Sequence, residues 1–149
     1  MEINTKLYKW AFALTFRDVR TKVDTIVLHH SASGNNLTPD DIHKEHLALG
    51  WAGIGYHFVI TPDGKVYTGR PITAVGSNVE MQNTHIIGIC FIGNFDINKN
   101  IPTDAQIQSG KALINYLFAI KKFAVKGHRD LMATACPGKN FPIDKFKKL

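Results

Sequence analysis

The segment Thr25-Ile26-Val27-Leu28-His29-His30-Ser31 constrains the fold most strongly. An unbroken apolar, β-prone run stops abruptly at a histidine pair, which is how a strand buried in the interior and delivering side chains to a cleft at its end reads. Further strand candidates are Gly55 to Thr61, Lys65 to Gly69 and Ile86 to Ile92, all rich in β-branched or aromatic residues. Thr61-Pro62-Asp63-Gly64 joins the middle two as a hairpin, because proline presets φ and glycine takes the left-handed position. Helices are signalled with equal clarity. Thr38-Pro39-Asp40-Asp41 combines an N-cap, a proline at the first helical position and first-turn acids, and Gly50 closes that helix. Thr103-Asp104-Ala105-Gln106 is a capping box opening a second helix through about Lys122, with Ile107, Leu113, Ile114, Leu117 and Phe118 at helical spacing. A short helix from about Pro142 completes the set, and Phe123-Ala124-Val125 reads as one more short extended segment ending at His128. Strands and helices in this order predict an α/β or α+β fold, with a single mixed central β-sheet flanked by helices.

Length and composition narrow the class. A chain of 149 residues fits one domain, spanning 1–149, and is long enough to bury a core without disulfides. Cys90 lies within an apolar run and reads as a small core hydrophobe, so no disulfide with Cys136 is expected. No apolar run approaches the roughly 20 residues of a membrane span. The start of the chain offers no signal-peptide core, which predicts synthesis in the cytoplasm. Net charge of +6 with pI near 9.4 favours a polyanionic partner. The basic residues are scattered, however, and no nucleic-acid-binding signature is present, so a solvated surface is the simpler reading and no specific nucleic-acid partner is expected.

His128 and Cys136, in Gly-His-Arg-Asp-Leu-Met-Ala-Thr-Ala-Cys-Pro-Gly, carry the chemistry. Imidazole and thiolate are preferred ligands of Zn²⁺, and a third donor is available at the end of the first strand. Side chains alternate along a strand, so only one of His29 and His30 can face the cleft, and pattern alone barely separates them. Three protein donors leave tetrahedral zinc one open position, the mark of a catalytic site, and hydrolysis is the first hypothesis. His43 and His46 lie three apart on a helix but lack zinc-protease spacing, and are read as surface or groove residues. His57 should face away from its neighbour Tyr56. His85 reads as packing or solvent-exposed.

Six blocks, in order, resemble the zinc-dependent N-acetylmuramoyl-L-alanine amidases of the type 2 family, which includes amidase-type phage lysozymes and peptidoglycan recognition proteins. They are Ile26 to Ala32; Gly50-Trp51 with Ile54-Gly55-Tyr56-His57-Phe58; Asp63 to Tyr67 with Gly69-Arg70; Ala74-Val75-Gly76; Ile87-Gly88-Ile89 with Gly93-Asn94-Phe95; and Gly127 to Asp130 with Thr134 to Gly138. The resemblance implies zinc on His29, His128 and Cys136, so His29 rather than His30 becomes the first ligand. It implies Tyr56 as an active-site tyrosine near the metal-bound water or the substrate carbonyl, and Thr134 as an oxyanion donor at a position where some members carry lysine and others threonine. It also implies cleavage of the bond between N-acetylmuramic acid and L-alanine of the peptidoglycan stem peptide, by an enzyme of phage or prophage origin that reaches the wall through a holin or host lysis. Two positions depart from the pattern. Asn78 stands where many relatives carry a groove histidine that contacts substrate, and Cys90 stands near the strand position of a general-base glutamate, leaving no obvious acidic base. Arg70 has two readings: a bidentate partner for a stem-peptide carboxylate, or an internal ion pair supporting the hairpin. A peptidoglycan-binding module without activity is the alternative function; loss of the cysteine ligand is its hallmark, and Cys136 is present.

Overall fold

The computed structural model describes residues 1–149. Its centre is a five-stranded sheet built from β1 (Thr25–His30), β2 (Phe58–Ile60), β3 (Val66–Thr68), β4 (Ile86–Phe91) and β5 (Ala124–Gly127), in the spatial order β3-β2-β4-β1-β5. β1 runs parallel to both β4 and β5, with Thr25 opposite Ile86 and His29 opposite Cys90, and β2 runs parallel to β4. Only β3 is antiparallel, as the hairpin partner of β2. All six residues of β1 and all six of β4 are buried, since central parallel strands are covered on both faces. That is why neither strand alternates polar with apolar residues.

Alternation nevertheless sorts their side chains to opposite sides. Ile26 and Leu28 of β1 join Ile87, Ile89 and Phe91 of β4 in the larger core, while Val27 packs with Val79 and Ile86, and Cys90 with Ile42, Ile54 and Val59, on the other face. His29 therefore shares a face with Val27, and His30 shares the large-core face. The predicted hairpin strands are longer than those observed. Residues before Phe58 leave the ladder, although His57 N still donates to Gly88 O at 2.9 Å. The turn forms as expected, with Gly64 at φ +84° and its amide donating to Thr61 O at 2.8 Å.

Four helices surround the sheet. α1 (Val19–Lys22) is a single turn that no sequence periodicity announced, capped by the Asp18 side chain. α2 (Pro39–Ala48) begins in a reciprocal capping box between Thr38 and Asp41, and Gly50 follows its end at φ +87°. α3 (Asp104–Leu117) starts in the box between Thr103 and Gln106 and stops more than a turn short of Lys122. No glycine or proline lies between 117 and 123 to signal that stop; the chain turns there because Ala124 must pair with Asp24 at the head of β5. α4 (Asp144–Lys147) seats Phe146 in the core beside Phe91 and Phe141. Both cysteines are free thiols, and no helix is long and apolar enough to cross a membrane.

Candidate metal centre

β1 and β5 lie side by side and parallel, so the segments leaving their C-terminal ends meet. β1 ends in His29 and His30, and β5 passes directly into a 3₁₀ turn, His128–Asp130, held because Gly127 N donates to Asp130 Oδ2 at 2.9 Å. The loop after that turn folds back, with Arg129 N donating to Cys136 O at 2.9 Å and the Arg129 guanidinium to Gly138 O at 2.6 Å. This returns Cys136 to the end of β1. Its Sγ accepts from His30 N at 3.4 Å and lies 3.6 Å from His29 Nδ1. The His29 and His128 rings are 4.7 Å apart, and one donor atom each from His29, His128 and Cys136 falls within 4.8 Å of the others.

The donor set fits zinc. Zn–N bonds of about 2.0–2.1 Å and a Zn–S bond of about 2.3 Å at a tetrahedral angle place nitrogen and sulfur about 3.5 Å apart, close to the observed His29–Cys136 separation. His128 Nε2 is buried without a hydrogen-bond partner, an arrangement that proteins avoid unless another ligand completes it. Burial, reinforced by His128, pushes His29 down to about 3, and burial also lowers His128. Both imidazoles are therefore neutral, as metal ligands must be. Burial pushes the Cys136 thiol up to about 11 against the opposing His30 amide and Arg129, so a cation is needed to hold its thiolate at neutral pH.

His30, the other half of the pair, is structural. It is 7 % exposed, its Nδ1 accepts from Phe95 N at 3.1 Å, and its ring packs on Phe95.

A groove of about 430 Å³ opens over the three donors, lined by Tyr56, Thr134, Asn78, His46 and Trp51 among others and by no carboxylate. The Tyr56 ring lies 5.1 Å from that of His29. Burial, then the nearby thiols of Cys90 and Cys136, hold its hydroxyl well above the usual range, so it stays protonated and can donate. Thr134 Oγ1 accepts from Cys136 N at 3.3 Å, which leaves its own O–H free to donate into the groove. Cys90 is fully buried and does not line the groove.

Arg70 corresponds to neither of its two readings. It is 7 % exposed, and Nε, Nη1 and Nη2 donate to the carbonyls of Ile54, Val75 and Gly53 at 2.8, 3.0 and 3.2 Å. Its backbone amide also donates to Tyr56 O at 2.9 Å, so the side chain braces the segment carrying the tyrosine rather than facing a carboxylate. Asn78 does line the groove, but its side-chain atoms are engaged: Oδ1 with His29 Nε2 and Nδ2 with Gly55 O, both at 2.9 Å.

The sequence reading missed what the helix histidines do. His43 is buried, not at the surface, and its Nδ1 accepts from Ile54 N at 3.0 Å; His46 Nδ1 accepts from Gly55 N at 2.8 Å. The pair thus clamps two consecutive amides immediately before Tyr56. Their i, i+3 spacing on α2 was the available signal, since it places both on one helix face.

Known proteins share this arrangement of chain. Residues 19–139 match the family described as N-acetylmuramoyl-L-alanine amidase. The endolysin of Escherichia phage T7 is 36% identical over 124 residues, covering 79% of this chain and 82% of its own. Peptidoglycan-recognition protein SC2 of Drosophila melanogaster is 36% identical over 126 residues, covering 76% and 67%. Among solved structures, the endolysin N-acetylmuramoyl-L-alanine amidase LysCS from Clostridium intestinale URNW superposes with a TM-score of 0.90 at 39% identity, covering 99% of this chain and 93% of its own. On these matches, the family match spanning the segments that carry all three donors, the chain belongs to the N-acetylmuramoyl-L-alanine amidase family.

Proposed function

We propose that this chain hydrolyses the amide bond between N-acetylmuramic acid and the L-alanine of the peptidoglycan stem peptide, as a wall-lysing enzyme of the endolysin kind, with Zn²⁺ held by His29, His128 and Cys136. The observation that carries the reading is the convergence of two neutral imidazoles and a thiol, one imidazole nitrogen left unpaired, beneath a groove walled by hydroxyl donors. When bound, the ion supplies Lewis acidity toward water and an amide carbonyl.

The protein's own groups do the rest. Tyr56, kept protonated, donates to the substrate carbonyl oxygen as charge develops there, and the free Thr134 hydroxyl adds a second donor. Removing one such donor costs about 10²-fold or more in rate in comparable oxyanion sites. Arg70, His43 and His46 hold the Tyr56 segment in place by binding the backbone from Gly53 to Gly55. With no carboxylate lining the groove and the Tyr56 hydroxyl held on the carbonyl oxygen, proton delivery to the leaving amine falls to solvent.

Release of new amino termini from purified peptidoglycan, measured with and without chelator, tests the proposal. Cys136→Ala and His128→Ala should each abolish both zinc binding and release while leaving the circular dichroism spectrum intact. Unchanged release in the chelated protein would overturn it.

A further inference from the structure

We infer that Asn78 is a positioning residue that selects which nitrogen of His29 is offered to the metal, an assignment that rests on the proposed zinc site. The amide can be oriented from its partners alone. Gly55 O can only accept, so the group facing it at 2.9 Å must be the Asn78 NH₂. Oδ1 is then the atom 2.9 Å from His29 Nε2, and an acceptor there requires that Nε2 carry the hydrogen. His29 Nδ1, on the side of Cys136 Sγ, is left with its lone pair. The opposite tautomer would set two lone pairs against each other at Asn78 and turn an N–H toward the sulfur.

The surroundings hold the amide in this pose. The backbone amides of Asn78 and Val79 both donate to Asn83 Oδ1, at 2.8 and 2.9 Å, which fixes where the side chain starts. On the neighbouring strand, a Cβ at Gly88 would come within 2.5 Å of Asn78 Oδ1, so β4 must carry glycine where the amide lies across it. Gly55 immediately precedes Tyr56, so one side chain ties a metal ligand to the segment bearing the groove tyrosine. A ligating histidine whose second nitrogen is held is preorganised, and losing that partner costs about 10- to 100-fold in metal affinity in comparable sites.

The test uses the full chain and two readouts that do not depend on catalysis. In the metal-free protein, ¹⁵N-resolved imidazole spectra should show His29 as the Nε2–H tautomer; the Nδ1–H form would overturn the inference. By competition with a chromophoric chelator, Asn78→Leu should bind zinc about 10- to 100-fold more weakly. Asn78→Asp keeps an acceptor for the Nε2 hydrogen but sets its second oxygen against Gly55 O, and should bind zinc more tightly than Asn78→Leu. Equal zinc affinity in Asn78→Leu and the parent would also overturn it. Failure of the zinc reading itself would look different, with His128→Ala binding zinc as tightly as the parent. Should Asn78→Leu fail to fold, the parent's tautomer still decides.

Discussion

His57 shows how burial turns a titratable side chain into a condition on folding. Its ring is fully buried; Gly88 N donates to Nδ1 at 3.0 Å, and Nε2 faces Ala74 O at 2.8 Å, so only the neutral ring satisfies both. Burial lowers it from 6.5 to about 3, with Arg17 and Arg70 adding to the fall. Below pH 6.5 the unfolded chain takes up a proton that the folded chain refuses. Stability is therefore complete above pH 6.5 and declines as pH falls toward 3, by about 1.4 kcal/mol per pH unit for one such group. Urea unfolding at pH 7, 6, 5 and 4 should show this slope, and His57→Gln should flatten it by about that amount; equal slopes for the two proteins would refute the account. His29 and His46, pushed down to about 3 and about 4, steepen the same dependence in the parent. The same scale shows where residue-level reading reached its limit. Arg70 looked like a group awaiting a carboxylate because the carbonyls it binds, on Gly53, Ile54 and Val75, are invisible in a string of side-chain names.

At the scale of elements, α3 rests on the sheet through a glycine. A Cβ on Gly110 would come within 2.7 Å of Phe91 and 2.8 Å of Phe146, so the helix approaches two aromatic rings that leave no room for a methyl. Gly110→Ala gains about 1 kcal/mol in helix propensity and loses about 1–3 kcal/mol to overpacking. A net loss in denaturant midpoint is expected, and a rise would show that the rings move aside. Element starts were legible because capping is local chemistry: Thr38 with Asp41, and Thr103 with Gln106, satisfy orphan amides within four residues of chain. Element ends were less so. α3 stops before Lys122 and β2 starts only at Phe58 for tertiary reasons, and the single turn of α1 is too short for any periodicity to register.

For the whole molecule, the proposed metal centre draws its donors from β1 and the loop beyond β5, segments 107 residues apart at His29 and Cys136. With no disulfide linking them, an ion bound there only in the folded state would add a cross-link between these segments. At a thousandfold excess over its dissociation constant, such a ligand stabilises by about 4 kcal/mol. For a chain of this size that is roughly 10 °C in melting temperature, at about 2–4 °C per kcal/mol. Thermal unfolding with zinc and with chelator should differ by about that much, and Cys136→Ala should abolish the difference. Identical curves for the parent in both conditions would mean that the three donors do not act together.

Sequence by itself determined the kinds of donor, the buried strand that ends in them, the capped helices and the turn of the hairpin, because each depends on residues within a few positions of one another. Tertiary structure decided the rest. Parallel pairing of β1 with β4 and β5 sets which face His29 takes, and the crossing of Asn78 over Gly88 gives that histidine its partner. Hydrogen-bond partners and burial belong to the packed chain, where residues far apart in sequence exclude water together.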